Sequence, residues 1–169
     1  MAQIFISLGT NIDPQRHLTA GLVELHQAFG ELQFSRVFES EPVGFSGTNF
    51  LNMVAIAQTD KPIADVVSIF KQIEQDNGRV RGEKKFSPRS LDIDLLLYDD
   101  AVCSEPVALP RGEILYNAFV LWPLAEVAPH LLHPIKQQTY AQLWHDYDKS
   151  TQKLWPVDFD FPKALLSND

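Results

Sequence analysis

Cysteine is almost missing from this chain: Cys103 is the single one in 169 residues. A lone thiol makes neither an internal disulfide nor a cysteine-based metal cluster, so a disulfide-stapled scaffold is excluded and a reducing compartment fits. Cys103 itself reads as a small apolar packing residue. Long apolar runs are missing too. No window approaches the ~20 consecutive apolar residues that span a bilayer, and the opening MAQIFISLGTN lacks the basic flank and apolar stretch of a secretory signal. A cytoplasmic protein with no membrane association is therefore expected. Positive charge is scarce, with 14 Lys and Arg against 22 Asp and Glu and a net charge of −8. That balance lacks the basic footprint needed for broad binding to DNA or RNA, and no RNP-type run of aromatics appears. There is no internal repeat, no Gly-x-x-x-x-Gly-Lys-Ser/Thr loop and no kinase Gly-rich loop.

What the chain does contain is enough for one well-packed core: 45% of its residues are hydrophobic, and a single domain over residues 1–169 is expected. Ile4 to Leu8 reads as a short buried strand, followed by turn residues Gly9, Thr10, Asn11 and Asp13. Pro14 opens a helix predicted to reach Phe29, because Leu18, Leu22, Leu25 and Phe29 recur at helical spacing and Gly30 stops it. A second strand is predicted from Leu32 to Glu39. Pro42, Gly44, Ser46 and Gly47 then make a loop, and Phe50 to Thr59 alternates as a third strand. Pro62 to about Asn77 reads as a second helix ending at Gly78, and Ser90 to Tyr98 as the fourth strand. Strand, helix, strand, strand, helix, strand is the split βαβ order of an α+β, ferredoxin-like βαββαβ sandwich, an antiparallel sheet with both helices packed on one face. A short helix is predicted near Val120 to Val127, and residues 135–169 form a C-terminal extension for which packing and disorder both stay open.

The chemistry concentrates between residues 71 and 98. Lys71, Arg79, Arg81, Lys84, Lys85 and Arg89 face only Glu74, Asp76 and Glu83 between residues 71 and 90, a basic segment in an acidic chain. In the next strand, Asp92 and Asp94 project from one face about 7 Å apart while Leu91, Ile93 and Leu95 point the other way. Two carboxylates on one surface repel unless a cation lies between them, and magnesium typically takes one or two carboxylates plus phosphate oxygens. Guanidinium groups immediately upstream bind phosphate. Together they describe a polyphosphate site, although a solvent-facing strand and a solvated charge run would carry the same residues.

Six blocks, ISLGTN, ESEPVG, FLN, GRVR, PRSLDIDLLLYDD and AFVLWPLAEVAP, resemble the 6-hydroxymethyl-7,8-dihydropterin pyrophosphokinases in content and order, over about residues 3–134. The resemblance implies transfer of the β,γ-diphosphate of ATP to the hydroxymethyl group of a reduced pterin, releasing AMP, with two Mg2+ ions held by Asp92 and Asp94. It also implies that Ser40, Pro42, Val43, Phe50, Asn52 and Phe119 contact the pterin, the two phenylalanines holding its ring and Asn52 its edge. Glu74, Arg79, Arg81 and Arg89 match positions around the nucleotide, with the arginines offsetting charge during transfer, and Phe86 lies on a loop that covers the site. Gly9 would pack beside the pterin pocket. Where the family commonly has Pro-His and, six residues later, an arginine, this chain has Pro110-Arg111 and Asn117, so Arg111 stands in as an ATP-binding cation. A monomer acting on ATP and a reduced pterin is expected. Two alternatives are a paralogue that binds pterin or nucleotide without transfer, and a different metal-dependent transferase on the same fold.

Overall fold

In a computed structural model, residues 1–41, 49–78 and 91–166 are described. Strand β1 (Ala2–Thr10) leads into helix α1 (Pro14–Phe29), followed by strands β2 (Gln33–Phe34), β3 (Val37–Ser40) and β4 (Phe50–Thr59). Helix α2 (Ile63–Asp76) and strand β5 (Asp92–Tyr98) complete the βαββαβ unit. The strands form an antiparallel sheet in the order β5-β1-β4-β3, with β2 also on β4. This is the expected ferredoxin-like arrangement.

Alternation along the strands sorts side chains onto two faces. Ile4, Ile6 and Leu8 of β1, Met53, Ala55 and Ala57 of β4, and Ile93 and Leu95 of β5 meet Leu18, Leu22 and Leu25 of α1 and Val66, Phe70 and Ile73 of α2. Each fully buried leucine in that stripe contributes about 2 kcal/mol. Phe5, Val54, Ile56, Leu96 and Leu97 point the other way, toward Val120, Leu121 and Leu124 of helix α3 (Ala118–Val127) and Tyr140 of α4 (Tyr140–Asp146). The two helices of the βαββαβ unit share one face, and α3 and α4 cover the second.

Two local departures have identifiable causes. The expected second strand is split into β2 and β3 because Ser35 replaces a ladder carbonyl with its hydroxyl. Its Oγ accepts from Val54 N–H at 3.1 Å and donates to Arg36 O at 2.7 Å, while Arg36 N–H turns to Glu126. In β5 the register shifts so that Phe5 pairs with Leu97 and Ile6 with Leu95, leaving Leu96 as a bulge that sends two consecutive leucines into the second core. The expected strand start at Ser90 lies outside the described residues.

The C-terminal extension packs. Trp144 of α4 stacks on Trp122 at 5.1 Å, and Trp122 lies 4.6 Å from Phe38. Strand β6 (Leu154–Val157) pairs antiparallel with β3 and so covers the sheet edge that β3 would otherwise expose. Phe161 then stacks on Phe34 at 4.5 Å, and the short helix α5 (Lys163–Leu166) places Leu165 against the first core. The extension thus reaches from one face of the sheet to the other. No helix among the described residues is long and apolar enough to cross a membrane.

Candidate functional site

Register places the predicted residues. Gly9 of β1 is opposite Asp92 on one side and Asn52 on the other, Asn52 is opposite Phe38 of β3, and Ser7 is opposite Asp94. Directly paired residues share a face, and Asn52 lies two residues from Val54, which packs toward α3. Asp92, Asp94, Gly9 and Asn52 therefore all lie on the α3 face, opposite the face of Ile93 and Leu95. Phe50, two residues before Asn52 and opposite Ser40, shares that face, and Phe119 in the first turn of α3 packs against the second core there. Phe50 and Phe119 are both half-buried.

Asn52 is 6% exposed, and its Nδ2 donates to Ser40 Oγ at 2.8 Å, which fixes the orientation of its amide. Gly9 fits closely beside it: a Cβ there would lie 3.0 Å from Asn52 Oδ1. The absent side chain keeps the sheet floor open between Asp92 and Asn52.

At the outer edge of β5 a cavity of ≈ 380 Å³ opens, lined by Lys71 and Glu74 of α2, Asp92 and Asp94 of β5, and Arg111 and Glu113. Glu74 Oε2 accepts from Ile93 N–H at 2.8 Å, so α2 satisfies an edge donor of β5. Arg111 N–H donates to Leu96 O at 3.0 Å, which docks the segment before the 3₁₀ turn Gly112–Leu115 on the same edge. The Arg111 guanidinium then reaches both ways, with Nη2 3.5 Å from Asp94 Oδ1 and Nε 2.8 Å from Glu113 Oε1. Burial works against its charge, but Asp94 and Glu113 outweigh that, and its pKa is raised. Among the described lining residues, four carboxylates face two cations.

Two carboxylates on one strand face beside an open cavity fit a hard divalent cation whose remaining ligands are water and phosphate. Among the described residues there is no group of three or more His, Cys, Asp or Glu able to hold a metal.

The predicted residues thus fall into two adjoining groups: Glu74, Asp92, Asp94 and Arg111 at the cavity, and Ser40, Phe50, Asn52 and Phe119 over the sheet. Pro42, Val43, Arg79, Arg81, Phe86 and Arg89 lie outside the described residues. Sequence reasoning passed over Glu113 as a site residue. Its signal was present: it stands two residues after Arg111 and four before Asn117, and its second oxygen accepts from Asn117 Nδ2 at 2.7 Å.

An antiparallel βαββαβ sheet with an acidic strand beside a charged cavity defines a small α+β protein of the ferredoxin-like class. Residues 5–129 match the family model of the 7,8-dihydro-6-hydroxymethylpterin-pyrophosphokinases, and the chain belongs to that family. It is 32% identical over 138 residues to the 2-amino-4-hydroxy-6-hydroxymethyldihydropteridine pyrophosphokinase of Aquifex aeolicus, covering 80% of this chain and 86% of that one. It is 34% identical over 141 residues to the enzyme of the same name from Porphyromonas gingivalis, covering 79% and 95%. Among solved structures, the Plasmodium falciparum HPPK-DHPS wild type with SDX-DHP superposes with a TM-score of 0.66 over 87% of this chain and 44% of that longer one. At 12% identity that likeness concerns the fold alone.

Proposed function

We propose that this protein transfers the β,γ-diphosphate of ATP to the hydroxymethyl group of 6-hydroxymethyl-7,8-dihydropterin, releasing AMP. The observation that carries this reading is the adjacency of the acidic, arginine-bearing cavity at β5 to the sheet surface holding Asn52, joined through the row Asp92, Gly9, Asn52. The pterin hydroxyl oxygen attacks the β-phosphorus, the bond to the oxygen bridging the α- and β-phosphorus breaks, AMP leaves with that oxygen, and the hydroxyl proton is lost. Such a displacement needs positioning and charge neutralisation more than a covalent protein group.

Asn52, held by Ser40, presents Oδ1 and an amide hydrogen to the pterin edge; Phe50 and Phe119 offer flat faces to its ring, and Pro42 and Val43 complete the pocket. Arg111 donates to phosphate oxygens in place of the family's histidine, with Glu74, Arg79, Arg81, Phe86 and Arg89 around the nucleotide. Arg79, Arg81 and Arg89 offset the charge on the transferred group. Asp92 and Asp94 would hold Mg2+, two ions by family resemblance, and the metal would polarise the phosphates. The two cores flank one sheet, which supports a single domain over residues 1–169, acting as a cytoplasmic monomer with no nucleic-acid partner.

Incubation with ATP, magnesium and the reduced pterin, then separation of products, tests the reaction. Equal amounts of AMP and pterin diphosphate are expected; ADP, or no pterin product, would overturn it. Asp92→Ala and Asp94→Ala should each abolish metal-dependent turnover while leaving the chain folded, and full activity in both would remove the metal assignment.

A further inference from the structure

Helix α3 begins behind Asn117, yet the Asn117 side chain caps none of its N–H groups. That work falls to Gln152, between α4 and β6 and outside the residues matched by the family model. Gln152 Oε1 accepts from Ala118 N–H at 2.6 Å and shares the single proton of Tyr147 Oη, 2.8 Å away, with Tyr116 O at 2.8 Å. With its oxygen so engaged, its Nε2 donates to Asn117 Oδ1 at 3.1 Å. Asn117 Nδ2 donates to Glu113 Oε2 at 2.7 Å, Glu113 Oε1 accepts from Arg111 Nε at 2.8 Å, and Arg111 Nη2 stands 3.5 Å from Asp94 Oδ1. An unbroken chain of contacts runs from the extension to the acidic pair.

Its polarity is fixed from both ends. A backbone N–H only donates and both Glu113 carboxylate oxygens accept, from Arg111 Nε and Asn117 Nδ2, so neither amide flips without opposing like groups at one end. Arginine carries large rotamer entropy, and a carboxylate already held by Asn117 restricts the arcs its guanidinium can sweep. Glu113 and Arg111 line the cavity, while Asn117 and Gln152 stand behind them.

We propose that Gln152 is a positioning residue for the nucleotide side of the site, acting through Asn117 and Glu113 to aim Arg111; this rests on the reading of that cavity as the nucleotide site. Gln152→Glu is the discriminating variant. It keeps an acceptor for Ala118 N–H and Tyr147 Oη but puts a second oxygen against Asn117 Oδ1, so the chain breaks at that link while the helix start stays capped.

The experiment uses the full chain and measures binding of a non-hydrolysable ATP analogue with magnesium by calorimetry, binding of 6-hydroxymethylpterin by its fluorescence, and thermal midpoints. Parent, Gln152→Glu, Arg111→Ala and the double variant are compared. In Gln152→Glu the analogue should bind about fivefold to tenfold more weakly, as for one lost network hydrogen bond, with pterin affinity and midpoint nearly unchanged. In the Arg111→Ala background the same change should add nothing, because the two residues act in series. Unchanged analogue binding, equal loss of both ligands, an additive double variant, or a parent that binds no analogue would each overturn the proposal. Should Gln152→Glu fail to fold, Asn117→Ala cuts the same chain and carries the same expectations. A parent that binds the analogue and responds to Gln152→Glu but makes no AMP would sink the proposed reaction and leave the positioning role standing.

Discussion

Replacing Arg111 with Ala separates a folding role from a ligand role by magnitude. Two contacts vanish, the 3.5 Å approach to Asp94 and the 2.8 Å bond to Glu113. The Arg111 and Asp94 side chains are 35% and 38% exposed, so water screens the pair and its contribution to folding is about 1 kcal/mol or less. Charge-assisted bonds from the same guanidinium to phosphate are worth about 2 kcal/mol, or about 30-fold in nucleotide affinity. Deleting it also removes a positive charge that stands 3.5 Å from Asp94 Oδ1 and competes with a cation for that carboxylate. Magnesium alone should therefore bind more tightly to Arg111→Ala while the magnesium–ATP analogue binds more weakly. Calorimetric titration with each, together with urea unfolding, reads all three quantities. A loss of several kcal/mol in stability with analogue binding unchanged would refute the reasoning, because Arg111 would then be a structural ion-pair residue.

Gly9→Ala should cost about 1–3 kcal/mol in urea unfolding and weaken pterin binding, since the added methyl meets Asn52 Oδ1 at 3.0 Å and Asn52 is tied to Ser40; an unchanged pterin affinity would count against an open floor at Gly9. Tyr140 is fully buried, its hydroxyl has no partner among the described residues, and burial raises its pKa. Tyr140→Phe should therefore be neutral or stabilising by about 1 kcal/mol in the same assay, and a clear loss would reveal a bonded hydroxyl. His133 is buried, and its Nδ1 accepts from the N–H groups of Ile135 and Lys136. Burial first and the Lys136 charge second lower its pKa from the ordinary 6.5. The unfolded chain then takes up a proton before the folded one does. Stability present above pH 6.5 should fall as the pH drops through that value toward the folded pKa, and His133→Gln should flatten this part of the unfolding profile.

Much of this protein was legible because its signals are local. Leu18, Leu22 and Leu25 at helical spacing, Pro14 before them and Gly30 after them fixed α1 residue by residue, since a helix buries one stripe whatever it packs on. The alternation of Asp92, Ile93, Asp94 and Leu95 placed two carboxylates on one face for the same reason, because pleating is a backbone property. The amino-acid sequence by itself thus determined the βαββαβ order, the acidic pair and the family. Tertiary structure decided the rest. The Ser35 break and the Leu96 bulge depend on what neighbouring strands and α3 offer. Nothing between residues 135 and 169 announced that Leu154–Val157 would cover β3, or that Gln152 would cap a helix 34 residues earlier in the chain. These contacts have no period and no spacing, because they join groups that only the folded chain brings within hydrogen-bonding distance.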